Sequence, residues 1–108
     1  MSELPIYRTR DVAAFAIQFD GTVASALHIA DHLGDGMFLR RGAFVLPPWK
    51  WEKARESTDQ WLLELPSGTP YAGAGDWIVC TIGDGGLYAI PDLLFQALFA
   101  RVENQEGD

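Results

Sequence analysis

The sequence has one cysteine, Cys80, among its 108 residues. No disulfide can form within the chain, which excludes the bridge-stapled class of small secreted domains. No apolar run approaches the roughly 18 residues that a membrane-spanning helix needs. The first ten residues also lack the order of charged and then apolar residues that marks a secretory signal peptide. These absences predict a cytoplasmic protein that crosses no membrane.

Basic residues are scarce as well. The chain has 8 Lys and Arg against 15 Asp and Glu, for a net charge of -7, and Arg101 is the one basic residue after Arg55. Non-specific binding to nucleic acid requires clustered Lys and Arg that displace counterions from the phosphates. Direct nucleic-acid binding is therefore not expected, whereas an acidic surface can steer the chain toward basic surfaces of partner proteins.

The glycine-rich stretch "AGAGDWIVCTIGDGG" lacks the features of a phosphate loop. A dinucleotide fingerprint opens a helix, but "GAGDWI" leads into a strand-like run, and no lysine follows Lys53 in the sequence. We interpret Gly73 and Gly75 as turn residues that admit the backbone to a strand, with Asp76 accepting backbone N–H bonds at its entry. No cofactor is expected.

Two histidines, His28 and His32, have the spacing of metal ligands on a helix. Stepping by 100° per residue places both opposite the apolar stripe of that helix, facing solvent, with no third strong ligand in the sequence. No metal site is predicted. The aspartates fall at turns and caps, so no catalytic residue is assigned and the chain is expected not to be an enzyme.

Hydrophobic periodicity predicts one α+β domain over residues 1–102 and a disordered tail over 103–108. The domain is expected to be a small, mainly antiparallel sheet with one amphipathic helix, at about 22–33, packed on it. The predicted stripe of that helix consists of Val23, Ala26, Leu27, Ala30 and Leu33. Strands are predicted at 12–20, 60–66, 76–82 and 87–90.

Two segments are left open by the pattern. Residues 37–60 contain strand-like pieces up to Pro47 and Pro48, followed by a long loop or a short surface helix. Residues 91–102 form either one helix or a helical turn to Phe95 followed by a closing strand.

Cationic and aromatic side chains alternate around residue 50, which is the pattern of a stacking surface. We take Arg40, Arg41, Trp49 and Trp51 as the candidate binding residues. The alternative is a solvated connection, with Lys50, Lys53 and Arg55, in which the two tryptophans are anchors. Trp61 is expected in the core.

Three motifs, "AIQFDGT" (16–22), "LELPSGTPYAGAGDWIV" (63–79) and "GGLYAIPDLLFQALF" (85–99), together resemble a family of small uncharacterised phage and prophage proteins. With the helix they cover over half of the chain, while 37–60 has no counterpart. The resemblance implies a phage-type origin and a compact fold. It favours a helical turn followed by a strand over 91–102, and it carries over no catalytic residues.

Two functions are considered. The first is a non-enzymatic bacteriophage or prophage accessory protein that binds a host or phage protein in the host cytoplasm, because tryptophans are enriched at binding hot spots. The alternative is a small-ligand or nucleotide-binding domain that sequesters its ligand. A homodimer is also expected, because the strand edges of so small a sheet need covering.

Overall fold

A computed structural model describes residues 6–9, 13–66, 71–83 and 85–101. The tail predicted at 103–108 lies outside the described residues. The α+β class is confirmed. In chain order the elements are β1 (Ile6–Arg8), β2 (Ala13–Gln18), α1 (Val23–Leu33), β3 (Phe38–Arg41), β4 (Phe44–Leu46), 3-10 helices Pro48–Lys50 and Glu52–Ala54, β5 (Leu62–Glu64), β6 (Trp77–Thr81), β7 (Leu87–Ile90), α2 (Asp92–Leu98) and β8 (Ala100–Arg101).

The strands divide between two antiparallel sheets, where the sequence predicted one. The large sheet has the order β7-β6-β2-β1-β8 and the small sheet has the order β4-β3-β5. β3 and β4 form a hairpin across Gly42 and Ala43, and the φ of 63° at Gly42 is the left-handed conformation that such tight turns favour. β3 also pairs with β5 on its other side. The three strands therefore form hydrogen bonds with one another and none of them pairs with β2.

Alternation along β2 buries both faces of the large sheet. Ile17 and Phe19 point into the main core, which α1 and the small sheet cover, while Ala14 and Ala16 point into a second core under α2. The strand predicted at 12–20 is therefore confirmed over Ala13–Gln18. The two layers on opposite faces explain why this strand carries apolar residues at nearly every position.

α1 begins and ends where its caps require. The Thr22 hydroxyl accepts a bond of 3.1 Å from the N–H of Ser25, and Gly34, with φ of 124°, ends the helix. Val23, Ala26 and Ile29 are the buried residues of α1. Ile29 was missing from the predicted stripe, whose Leu27, Ala30 and Leu33 pack at the margin of the core.

The open question over 91–102 is resolved, as far as Arg101, in favour of a helical segment followed by a strand. α2 packs Phe95 against the large sheet, where the ring stacks on Trp77 with centroids 4.1 Å apart and planes 8° apart. Tyr7 meets the same ring edge-on at 5.0 Å. β8 then pairs with β1 at the far edge of the sheet. We call the face of the large sheet under this helix the α2 face.

Candidate functional site

The structure separates the four predicted binding residues. Arg40, Arg41 and Trp49 lie at the surface of the small-sheet layer, whereas Trp51 is only 1% exposed and belongs to the main core. Trp51 therefore has no surface to offer a partner, and this part of the prediction is corrected: the tryptophan is an anchor. Trp61, 6% exposed, is a core residue as expected.

Trp51 fixes the segment that carries Trp49. Its indole N–H donates a bond of 2.9 Å to the Leu46 carbonyl, which ties the 3-10 turns to the end of β4. The Lys50 N–H bonds the Pro47 carbonyl at 2.9 Å, and the Ala54 N–H bonds the Trp51 carbonyl at the same distance. These bonds order the backbone around Trp49 within the fold, and a backbone that is already ordered loses less entropy on binding.

Trp49 stands on the rim of a shallow depression of about 470 Å³. Its side chain is 76% exposed and touches Phe38 edge-on, with ring centroids 6.5 Å apart. The depression has an apolar floor and two cationic walls, being lined by Leu46, Trp49, Lys50, Lys53 and Ala54. We call these five residues the Trp49 depression.

The charges around the depression differ in how they are satisfied. Three of the five basic residues in the predicted patch are held by acids: Arg40 by Glu64, Arg41 by Asp59 at 3.2 Å, and Arg55 by Glu52. The hydrogen bond that the Arg40 guanidinium donates to the Glu64 carboxylate raises the pKa of Arg40. Within the described part of the chain, Lys50 and Lys53 form no ion pair. They remain available to an anionic group.

The outer face of the small sheet continues the surface beyond Trp49. Arg40 stands between Val45 and Leu62 in the register of the three strands, and its guanidinium lies 5.7 Å from the centre of the Tyr71 ring. Leu62 is 42% and Tyr71 43% exposed. The sequence analysis did not include these two residues among the candidate binding residues. Leu62 could have been noticed, because it is an apolar residue on the side of the predicted strand 60–66 that faces away from the core.

The glycine-rich segment has the predicted structural role. Gly75, with φ of 96°, turns the chain into β6, and its N–H donates a bond of 2.7 Å to the Phe19 carbonyl. The Asp76 carboxylate accepts a bond of 2.9 Å from the Gly73 N–H. The Asp76 carboxylate is therefore engaged within the fold. Further along, Gly83 and Gly85 have φ of 117° and 73°, while Asp84 lies outside the described residues.

Motif residues that are far apart in the sequence meet at the N-terminal end of β6. The Trp77 indole N–H donates to the Asp92 carboxylate at 2.8 Å, and the same oxygen accepts from the Gln96 amide at 3.2 Å. The Gln18 amide donates to the Gly75 carbonyl at 2.9 Å and approaches the Asp92 carboxylate at 3.5 Å. The Trp77 and Gln96 bonds lower the pKa of Asp92. This network joins residues from all three motifs. The presence of these residues in the motifs therefore has a structural explanation.

The histidine pair lies on the exposed side of α1, as its helical angle predicted. The rings of His28 and His32 lie 4.5 Å apart, and a ring nitrogen of His32 is 3.0 Å from the His28 carbonyl. Across the residues that the structure describes, no three His, Cys, Asp or Glu side chains are grouped as a metal site.

No protein-family model matches the chain, and neither a curated protein nor a solved structure was found to be similar to it. The molecule is therefore described by its own architecture: an α+β domain of two antiparallel sheets, with a depression next to the smaller sheet that Trp49 and two lysines help to line. None of the helices in the described ranges has the length and apolar character needed to cross a bilayer.

Proposed function

We propose that this protein is a non-enzymatic accessory protein of a bacteriophage or prophage, acting in the host cytoplasm by binding a host or phage protein. The three motifs of the sequence support the phage origin. The observation that carries the binding role is Trp49, a large aromatic side chain 76% exposed on a backbone that the buried Trp51 holds in place. Fixed, exposed aromatic residues are the usual anchors of protein interfaces.

Charge selects the chemistry of the partner. The chain is strongly acidic, yet the depression has Lys50 and Lys53 on its walls, both outside any ion pair among the described residues. A partner segment that places an aromatic or leucine side chain beside Trp49 and carboxylates beside the two lysines fits both the floor and the walls. The proposed partner is therefore an acidic peptide segment with one apolar anchor.

The proposal is tested by selecting binders to the immobilised wild-type protein from a displayed library of random peptides. We expect the enriched peptides to combine Asp or Glu with an aromatic residue or leucine. Calorimetry on one such peptide should then show at least a tenfold weaker affinity for Trp49→Ala, because loss of a central anchor costs about 2 kcal/mol or more. The double variant Lys50→Glu/Lys53→Glu should weaken binding as well.

Phe44→Ala is the matched control. Phe44 is 61% exposed and aromatic but does not line the depression. It should leave the affinity unchanged. Equal losses for Trp49→Ala and Phe44→Ala, or a selection that enriches no acidic peptide, would remove the proposal.

A small-ligand function is the alternative, and the same depression favours it. Its volume of about 470 Å³ lies within the approximately 300–1,000 Å³ of ligand pockets. A nucleotide could stack its base on Trp49 and place phosphates near Lys50 and Lys53. Thermal unfolding with a panel of nucleoside phosphates decides between the two. A raised Tm that disappears in Trp49→Ala supports the nucleotide, and no shift with any nucleotide excludes it at the concentrations used.

A further inference from the structure

The second surface with unexplained features lies on the large sheet, far along the chain from the Trp49 depression. β7 is one edge of that sheet, and its residues, Leu87–Ile90, contain no charge and no proline. Natural proteins protect strand edges with charges, proline or bulges, because an open edge pairs with other strands. The opposite edge strand, β8, includes the charged residue Arg101 and is described only as far as that residue. β7 has neither charge nor proline.

Apolar side chains continue from this edge onto α2. Tyr88 is 50% exposed and lies on the α2 face, since it pairs with Val79 of the second core. In the first turn of α2, Leu93 is 85% and Leu94 is 48% exposed. α2 begins two residues after β7 ends, so its first turn follows directly on the C-terminal end of the edge strand. The strand edge and the first turn of the helix are thus adjacent in the chain, and both carry exposed apolar side chains.

Charge identifies the occupant. From Gly85 to Ala100 the only Asp, Glu, Lys or Arg is Asp92, whose carboxylate is bonded to Trp77 and Gln96. Two copies that each carry a net charge of -7 repel one another least where the contact face is uncharged. We infer that the surface formed by the β7 edge and the first turn of α2 binds a second copy of the same chain, with β7 pairing antiparallel to β7 of that copy.

The symmetry of that pairing is compatible with the positions of the apolar groups. Antiparallel pairing of two identical edge strands places a two-fold axis perpendicular to the sheet, and the rotation keeps both copies of α2 on the same face of a ten-stranded sheet. The C-terminal end of each β7 then lies beside the N-terminal end of the other. The first turn of each α2, which follows the C-terminal end of β7, is then on the same side of the sheet as Tyr88 of the second copy. Strand pairing and apolar burial therefore contribute together.

The test compares charge variants of matched exposure by sedimentation equilibrium and light scattering over a micromolar to millimolar range. Wild type should be a dimer. Tyr88→Asp and Leu93→Asp should each weaken dimerisation at least tenfold, because each would bury an unpaired carboxylate in the interface. Phe44→Asp adds the same charge at a 61% exposed position on the other sheet and should remain a dimer.

Amide hydrogen exchange gives a readout of the strand pairing itself. Amides of β7 that point away from β6 should exchange more slowly in wild type than in Tyr88→Asp, once circular dichroism has confirmed that the variant is folded. A wild-type protein that is monomeric throughout the range overturns the inference. So does a dimer that Phe44→Asp weakens as much as Tyr88→Asp, or a dimer whose β7 amides exchange as in the variant. Each of these outcomes is independent of peptide binding at the Trp49 depression.

Discussion

The indole N–H of Trp77 donates a hydrogen bond of 2.8 Å to the carboxylate of Asp92 and ties β6 to the first turn of α2. Trp77 also stacks on Phe95, three residues further along the same helix. One tryptophan thus fixes the helix by a polar contact at its start and by an aromatic contact in its middle. α2 has only 7 residues, too few for a stable helix in isolation, so these contacts hold it on the sheet.

Acid should weaken this connection. The bonds from Trp77 and Gln96 lower the pKa of Asp92 below its usual value. A carboxyl whose pKa is lower in the folded state stabilises the fold above the unfolded pKa of about 3.9. That contribution is lost as the pH falls through the lower, folded pKa. Denaturant titrations of wild type and Asp92→Asn should therefore show a stability difference at neutral pH that shrinks below about pH 4. A difference that stays constant down to the lowest accessible pH would contradict this role.

Truncation of the two neighbouring tryptophans of the small-sheet layer should have very different effects on stability. Trp51→Ala leaves a cavity in the main core and should lower the free energy of unfolding by about 3–5 kcal/mol. Trp49→Ala removes a side chain that is 76% exposed and should change stability by no more than about 0.5 kcal/mol. Equilibrium denaturation measures both. Similar destabilisation by the two variants would show that Trp49 is a structural residue and would remove the premise of the proposed function.

A side chain at Gly21 should destabilise the fold, chiefly through the backbone conformation. Its φ is 91°, and an added Cβ would overlap the Gln60 carboxamide. Gly21→Ala is expected to lower the free energy of unfolding by about 1–2 kcal/mol or more from the left-handed backbone alone. Gly73→Ala is the control, because its φ is not positive and its Cβ would meet Leu62 at 3.4 Å and the Asp76 carboxylate at 4.0 Å, without overlap. Equal stabilities of the two variants would contradict the conformational explanation.

Local patterns predicted the elements that depend on neighbouring residues. The helix predicted at about 22–33 is α1, which Thr22 and Gly34 cap, and the strand predicted at 12–20 contains β2. Pairing across the chain was not predictable in this way. That β3 joins β5 and leaves the large sheet follows from contacts over more than 20 residues, which no local pattern encodes.

The candidate site shows the same limit at the level of single side chains. Trp49 and Trp51 have the same chemistry and nearly the same neighbours in sequence, and 3-10 turns place one outside and the other inside. Likewise, the bond between Trp77 and Asp92 spans 15 residues and depends on the β6–β7 hairpin. The sequence motifs that contain Trp77 and Asp92 could be identified from the sequence. The contact between the two side chains could be seen only in the structure.

The most direct measurement of the binding role is a nuclear magnetic resonance titration of the labelled protein with a selected acidic peptide. We predict that the indole N–H of Trp49, assigned through Trp49→Phe, and the amides of Lys50 and Lys53 shift on binding, while the signals of Phe44 and Tyr88 stay in place. Shifts that map to β7 or to the Gly75–Asp76 turn, with the Trp49 indole unmoved, would contradict the account.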